Sequence, residues 1–329
     1  MENKISESVL VIGAAGCIGA QVVANLVRDG QVPVAFDIAE DRRRLKLLMD
    51  KSLADGVTWV VGDVCNSDIL KATILEYDVK SIIHLAALQV PFCNANPVRG
   101  AEVNIVGQVN IFEVARSLGI KGLAYASSVA ALPILDNPWP STLYGVFKMA
   151  DEAIADVYWQ TWKVPSIGIR PHTVYGPGRD QGITAAPTKA MLAAAAGKRF
   201  TIPFAGPIML QHTIEVADAF IRSAQSGADG AHVFDLSGAD TTIAEVVEEI
   251  KGCVPGAEVT IKGEKLPFVS GLDDRKLRNL VGDWPSISLS EGVSQSINSF
   301  KNLLSNKLLS YDDVYRDPLG GGHYDLYDS

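Results

Sequence analysis

No stretch of this sequence approaches the roughly 18 uninterrupted apolar residues that a bilayer-spanning helix needs, so no membrane partner is expected. The opening segment, Met1 to Ser8, is polar and charged with no apolar core behind it, which argues against an export signal. Cysteine is scarce. Cys17, Cys65, Cys93 and Cys253 are scattered without paired metal spacing or disulfide density, as expected of free thiols in a reducing cytoplasm. The five histidines are equally dispersed, and no metal site is expected. Basic charge is also in short supply: 29 Lys and Arg against 38 Asp and Glu leave a formal net charge of −9. That sign opposes nucleic acid and anionic membrane as partners. The one basic cluster, Arg42-Arg43-Arg44, follows Glu40 and Asp41 and reads as a solvated helix face.

What is present is an ordinary globular composition, 47% hydrophobic and 20% charged over 329 residues, enough for a sizeable core. The first half alternates short β-branched runs with amphipathic stretches, the pattern of a parallel sheet covered by helices on both faces. Strands are expected at 8–12, 32–36, 57–61, 81–85, 121–126 and 165–169, with a later one at 231–236. Gly30 and Gly119 stand where left-handed caps should close two of the helices between them. Past Arg170 the texture changes to Pro- and Gly-marked loops, followed by helices at 188–197, 216–226 and 242–251. The expected fold class is α/β, a doubly wound parallel (Rossmann) sheet with a smaller C-terminal α+β lobe. Residues 1–170 plus 231–236 would bind a dinucleotide, 171–230 plus 237–306 would face the substrate, and 307–329 would form a surface arm.

Gly13-Ala14-Ala15-Gly16-Cys17-Ile18-Gly19 lies between the first strand and a helix running to Asp29. In such a loop Gly13 permits the tight turn, Gly16 lets backbone N–H groups approach a pyrophosphate, and Gly19 allows close helix–strand packing. The helix N-terminus, at Cys17 and Ile18, then faces the anion with its partial positive charge. A glycine triplet alone is a weak signal; with a strand before it and a helix after it, the signal is strong. The second strand ends at Asp37, about 20 residues on, where a carboxylate accepts from both ribose hydroxyls and repels a 2′-phosphate. NAD is therefore expected over NADP. The bland alternative is that Asp37 caps the next helix, and an arginine from 42–44 swung towards the ribose would hold a 2′-phosphate instead. Asp63 is either an adenine-edge contact or a turn residue.

Tyr144 and Lys148 are four apart and hence one turn apart on one helical face. A phenol is a poor base near neutral pH, and an ammonium and a cationic nicotinamide beside it both favour the phenolate. Lys148 would also hold the nicotinamide ribose. Ser128, at the end of the fifth strand, is placed to hydrogen-bond the reacting oxygen. A lone Tyr/Lys pair at this spacing is usually just an exposed helix face. Downstream of a glycine loop, an acidic ribose reader and a strand ending in Ser127-Ser128, it gains meaning from the conjunction.

These residues resemble the extended short-chain dehydrogenase/reductases, the NAD-dependent epimerase/dehydratase family. The resemblance runs to about residue 305 and includes Asp63-Val64, His84-Leu85-Ala86-Ala87, Asn104 with Gly107, and Arg170-Pro171-His172-Thr173-Val174-Tyr175-Gly176-Pro177-Gly178. It implies a catalytic trio of Ser128, Tyr144 and Lys148. It also implies that Val64, Leu85, Ala86 and Ala87 line the cofactor cleft, that Asn104 supports the fold beside it, and that Pro171, Thr173 and Val174 belong to a loop closing over cofactor and substrate. A homodimer through helices at 99–118 and 142–162 is the family-level expectation.

Three departures from the family pattern bear on substrate. Thr173 replaces the asparagine that contacts a nucleotide-sugar diphosphate, and Ile208 falls where an arginine would neutralise it. The loop after Ser128 is short and apolar, with Val129 and Ala130 where dehydratases carry an acidic pair, so dehydration is not expected. Together these point to hydride transfer between NAD and a secondary alcohol of a sugar, sugar acid or similar small polyol. The alternative is an NAD-retaining nucleotide-sugar epimerase like UDP-glucose 4-epimerase. Candidate substrate contacts are Gln89, Ser128, His172 and Gln211, with a packing role about as probable for His172 and Gln211.

Overall fold

The computed structural model describes residues 8–133, 138–267 and 269–312. Twelve strands run in chain order: β1 (Ser8–Ile12), β2 (Pro33–Asp37), β3 (Thr58–Val61), β4 (Val79–His84), β5 (Gly122–Ala126), β6 (Ser166–Arg170), β7 (Thr173–Tyr175), β8 (Phe200–Ile202), β9 (Pro207–His212), β10 (Ala231–Asp235), β11 (Ala239–Thr242) and β12 (Val259–Ile261). Seven form one sheet in the order β3-β2-β1-β4-β5-β6-β10, with every pair parallel. The doubly wound α/β fold read from the sequence is the fold observed, and β10 returns beside β6 where the 231–236 segment was expected.

Alternation along β1 shows how the sequence builds two layers. Val9 and Val11 join the apolar cluster on one face, and Leu10 and Ile12 the cluster on the other. Because both faces are covered, β1 reads as a continuous apolar run. Helices Cys17–Arg28 and Thr213–Gln225 pack together on the first face, where Val22, Leu26, Val216 and Phe220 are buried. Gly30 (φ 73°) and Gly119 (φ 70°) adopt the left-handed backbone their cap positions require.

The second lobe contains more β-structure than its Pro/Gly texture suggests. β7, β9 and β11 form a three-stranded sheet, β8 and β12 a parallel pair, and helices Ala186–Ala195, Ile243–Cys253 and Leu289–Ser305 enclose a core around Phe204, Leu210, Ile250 and Phe300. β9 is buried at every position after Pro207, so it lacks the period-2 alternation that marks a half-exposed strand. β7, β8 and β12 are three residues each, too short to register as a pattern. The arm expected from 307 onward lies outside the described residues beyond Asp312.

Candidate active site

The sheet order reverses at β1, which pairs with β2 on one side and β4 on the other, and the crevice at that reversal is where open α/β sheets bind ligands. A cavity of about 480 Å³ lies there, lined by Gly13, Ala15, Gly16, Asp37, Asp63, Val64 and Leu85–Leu88 among others.

The glycine loop is as tight as its composition demands. Gly13 sits at φ 86°, and a Cβ on it would stand 2.6 Å from the Ala86 backbone nitrogen. A Cβ on Gly19 would stand 2.0 Å from the Gly13 carbonyl oxygen. Gly16 begins the Cys17–Arg28 helix with extended backbone and no side-chain cap. The first-turn N–H groups therefore face the cavity mouth without a capping acceptor, a cradle that fits a pyrophosphate.

Asp37 accepts from the Ala15 N–H (2.8 Å, Oδ2) and from its own neighbour Ile38 (2.7 Å, Oδ1). Burial pushes its carboxyl above the usual aspartate value, against the pull of both N–H groups. It lines the cavity and ties the glycine loop to the end of β2; it caps no helix.

The 42–44 arginines differ from the expected solvated face. Only Arg43, paired with Asp41, is mainly in solvent. Arg42 lies over the Trp59 ring at 5.2 Å. Arg44 donates to Ala15 O (2.7 Å), Gly178 O (3.0 Å) and Asp180 (2.6 Å). Committed to three acceptors, the Arg44 side chain is a bridge from the glycine loop to the Gly178 loop, which is not the swung phosphate ligand weighed in the sequence. Asp63 also has a cation partner, Arg99, at 2.6 Å. Burial opposes its charge, but the Cys65 N–H and Arg99 outweigh that and hold the carboxyl below the usual range.

Asn104 is buried and bonds both ways to Leu88, accepting from its N–H (2.8 Å) and donating to its carbonyl (3.0 Å). It ties the helix that carries it to Leu88, a residue lining the cavity. Gln89 is exposed at the start of helix Val90–Ala95, its Oε1 reaching towards Gly182.

Ser128, Tyr144 and Lys148 do not line the 480 Å³ cavity; they gather one strand further along, past β4 at the end of β5. Ser127 is buried and donates to Glu152, which in turn grips Arg170 (2.7 and 2.6 Å). Ser128, half-buried, is the serine of the pair not held by Glu152; its Oγ accepts from Ala130 N (3.1 Å). Thr142 caps helix Leu143–Trp162 by accepting from Gly145 N (3.0 Å), which seats Tyr144 in the first turn. A Cβ on Gly145 would stand 2.2 Å from Ala130 O, so this glycine, not singled out from the sequence, lets the tyrosine helix press against the serine turn. Lys148 is 3% exposed, and its Nζ lies 6.0 Å from the Tyr144 ring centroid.

Two proposed substrate contacts are engaged elsewhere. Gln211 is fully buried, accepting from His172 N (2.8 Å) and donating to Leu236 O (2.5 Å), so it splices β9 to the end of β10. His172 places Nε2 3.1 Å from Val269 O and accepts at Nδ1 from Thr173 N. Both geometries match the packing role weighed beside the substrate role. Thr173, Val174 and Ile208 are buried, so the position expected to bear a phosphate-binding arginine is a core residue of β9. Among the described residues no cluster of three or more His, Cys, Asp or Glu side chains could hold a metal ion, and no helix is long and apolar enough to cross a membrane.

A family model described as NAD dependent epimerase/dehydratase family matches residues 9–233. The UDP-glucose 4-epimerase of Mycolicibacterium smegmatis is 29% identical over 312 residues, covering 89% of this chain and 98% of that protein. UDP-glucuronate 4-epimerase 3 of Arabidopsis thaliana is 33% identical, over 52% of this chain and 43% of its own length. Among solved structures, a UDP-glucose 4-epimerase from Thermotoga maritima with UDP-glucose superposes with a TM-score of 0.76 at 22% identity, covering 90% of this chain and 99% of that one. A partial-consensus L-threonine 3-dehydrogenase gives the same score at 20% identity, covering 90% and 99%. Likeness at those identities speaks for the fold.

Proposed function

We propose that this chain, which belongs to the NAD dependent epimerase/dehydratase family, oxidises a secondary alcohol of a sugar, sugar acid or similar small polyol with NAD. NAD, once bound, supplies the hydride acceptor. The protein's own share is positioning and proton transfer. The N–H groups of Cys17 and Ile18 hold the pyrophosphate, Asp37 takes the ribose hydroxyls, and Val64 and Leu85–Ala87 wall the cleft. Pro171, with Thr173 and Val174 at the start of β7 where the sequence suggested a loop, borders it from the second lobe. Ser128 and Gln89 meet the substrate hydroxyls. Tyr144 takes the hydroxyl proton, with the Lys148 ammonium beside its ring.

The observation that carries this reading is the Lys148 ammonium, buried and facing the Tyr144 ring at the carboxyl end of the strand next to the cofactor cavity. The core position of Ile208 supports a substrate without a diphosphate. A second reading, an NAD-retaining nucleotide-sugar epimerase, is favoured by the near full-length relation to a UDP-glucose 4-epimerase and by the Arg44 bridge beside the cavity. We also place the protein in the cytoplasm, given four free cysteines, and as a homodimer through the Gly107–Leu118 and Leu143–Trp162 helices, where Val146, Val157 and Trp162 remain exposed.

One panel separates the readings. Sugars, sugar acids and nucleotide sugars are offered with NAD while reduced cofactor and isomer composition are followed. Bulk NADH formation abolished by Tyr144→Phe is the expected result. Interconversion of UDP-sugars at enzyme-like rates with no net NADH would establish the epimerase instead.

A further inference from the structure

We propose that Asp151 is a positioning residue for Lys148: its buried carboxylate pins the ammonium against the Ala126 carbonyl, so that one N–H of three is left for the reacting side of the cleft. The inference rests on Lys148 acting beside the cofactor, as above. Lys148 Nζ donates to Ala126 O (2.7 Å) and to Asp151 Oδ2 (3.0 Å). Asp151 lies three residues on along the same helix and is 0% exposed. Its other oxygen, Oδ1, has no partner among the described residues. A carboxylate this deep is strongly disfavoured unless a cation compensates it, and the converse holds for the ammonium.

Among the described residues no other charge near Lys148 takes this part. On the same helix Glu152 is taken by Ser127 and Arg170, and Tyr144 is the group to be activated. His84 on β4 is buried, its pKa drawn down to about 3 by burial and by Lys148, so it stays neutral. Tyr125 on β5 is held neutral by burial, which drives its pKa well up. Cys93, from helix Val90–Ala95, has its thiol raised by burial. Burial opposes the charge on Lys148, but Asp151, helped by Tyr144 and Cys93, outweighs it and keeps the ammonium above the ordinary lysine range. Burial pushes the Asp151 carboxyl up to about 6, which leaves it ionised at neutral pH. Without that carboxylate, Lys148 loses its strongest support against burial and its pKa falls.

The pair could instead serve only to hold the helix on β5, and a pH profile distinguishes the two roles. Asp151→Asn in the full-length protein is expected to add an alkaline limb: rates within about threefold of wild type near pH 7, falling at least about tenfold below it by about pH 9. Asp151→Glu, which keeps the charge, is expected to retain the wild-type profile shape. A uniform loss at every pH in Asp151→Asn would overturn the proposal. A second measurement needs no known substrate. In the ligand-free wild-type protein, the lysine Nζ NMR signal missing from Lys148→Met should remain a slowly exchanging ammonium to about pH 9. A Lys148 signal that exchanges like surface lysines, or becomes a neutral amine below that pH, would sink the idea. Should no compound be turned over, the proposed activity fails and the NMR result still decides Asp151.

Discussion

Adding one methyl group at Gly19 should damage both the fold and the cofactor site, by an amount the loop geometry sets. The new Cβ would stand 2.0 Å from the Gly13 carbonyl oxygen, against about 3.4 Å for ordinary contact, with further backbone atoms of Gly13 and Ala14 within 3 Å. The clash is backbone on backbone, so no side chain can rotate away. The helix and the loop must part by more than an ångström. Overpacking of this kind costs about 1–3 kcal/mol of stability. The same movement would pull the Cys17 and Ile18 N–H groups from the position proposed for the pyrophosphate. Hydrogen bonds to a charged group contribute about 1.5–3 kcal/mol each, so losing even one weakens NAD binding about tenfold to a hundredfold. Calorimetric titration with NAD and thermal melting of Gly19→Ala measure both effects. Gly252→Ala serves as control: its Cβ would meet nothing within 4 Å near the end of helix Ile243–Cys253, so stability should hold or rise by up to about 1 kcal/mol with NAD binding unchanged. Wild-type NAD affinity in Gly19→Ala with an unshifted melting temperature would refute the reasoning.

Replacing Asp37 by Ala removes the proposed acceptor for the ribose hydroxyls and a partner of the Ala15 N–H, so NAD affinity should fall at least about tenfold while the preference over NADP narrows; paired titrations with the two cofactors check this, and an unchanged NAD/NADP ratio would count against the ribose role. The adjacent serines should separate. Ser127→Ala breaks the bond to half-buried Glu152 and should lower the melting temperature with turnover largely kept, whereas Ser128→Ala should lower kcat with little change in melting; the opposite assignment would move the reacting-oxygen contact to Ser127. Stability should also fall in acid. Burial, with Lys148 adding to it at His84, lowers His84 to about 3, and burial lowers His212 to about 4, both well below the unfolded value near 6.5. Their contribution is therefore complete above that value and lost as pH falls, by up to about 1.4 kcal/mol per pH unit for each. Denaturant titrations at pH 7 and pH 5 measure it, and equal unfolding free energies at the two would contradict the buried, neutral state of these rings.

The parallel sheet was legible because its strands are buried on both faces and bounded by glycine-capped helices; each of the seven expected runs overlaps an observed strand of that sheet. The second lobe was not. β9 is buried throughout and lacks alternation, and its partners take their strand character from pairing across the lobe. The glycine loop and Asp37 could be read because their chemistry is local and their spacing fixed. Arg44 could not: its acceptors at Ala15, Gly178 and Asp180 come from separate parts of the chain, and nothing in a run of three arginines says which one turns inward. Gln211 shows the opposite failure. A polar residue beside the expected cleft resembles a ligand until its two amide ends are found joined to His172 and Leu236. Asp151, three residues from Lys148, stood at helix-facing distance in the sequence, but its burial belongs to the tertiary structure.

The most direct test of the account is a crystal structure with NAD bound. Its pyrophosphate should rest on the Cys17 and Ile18 N–H groups and its adenosine ribose on Asp37, with the Tyr144 hydroxyl, Ser128 Oγ and Lys148 Nζ converging on the nicotinamide end. A nicotinamide remote from Tyr144, or a phenol turned away from it while the dinucleotide is in place, would contradict hydride transfer at this site.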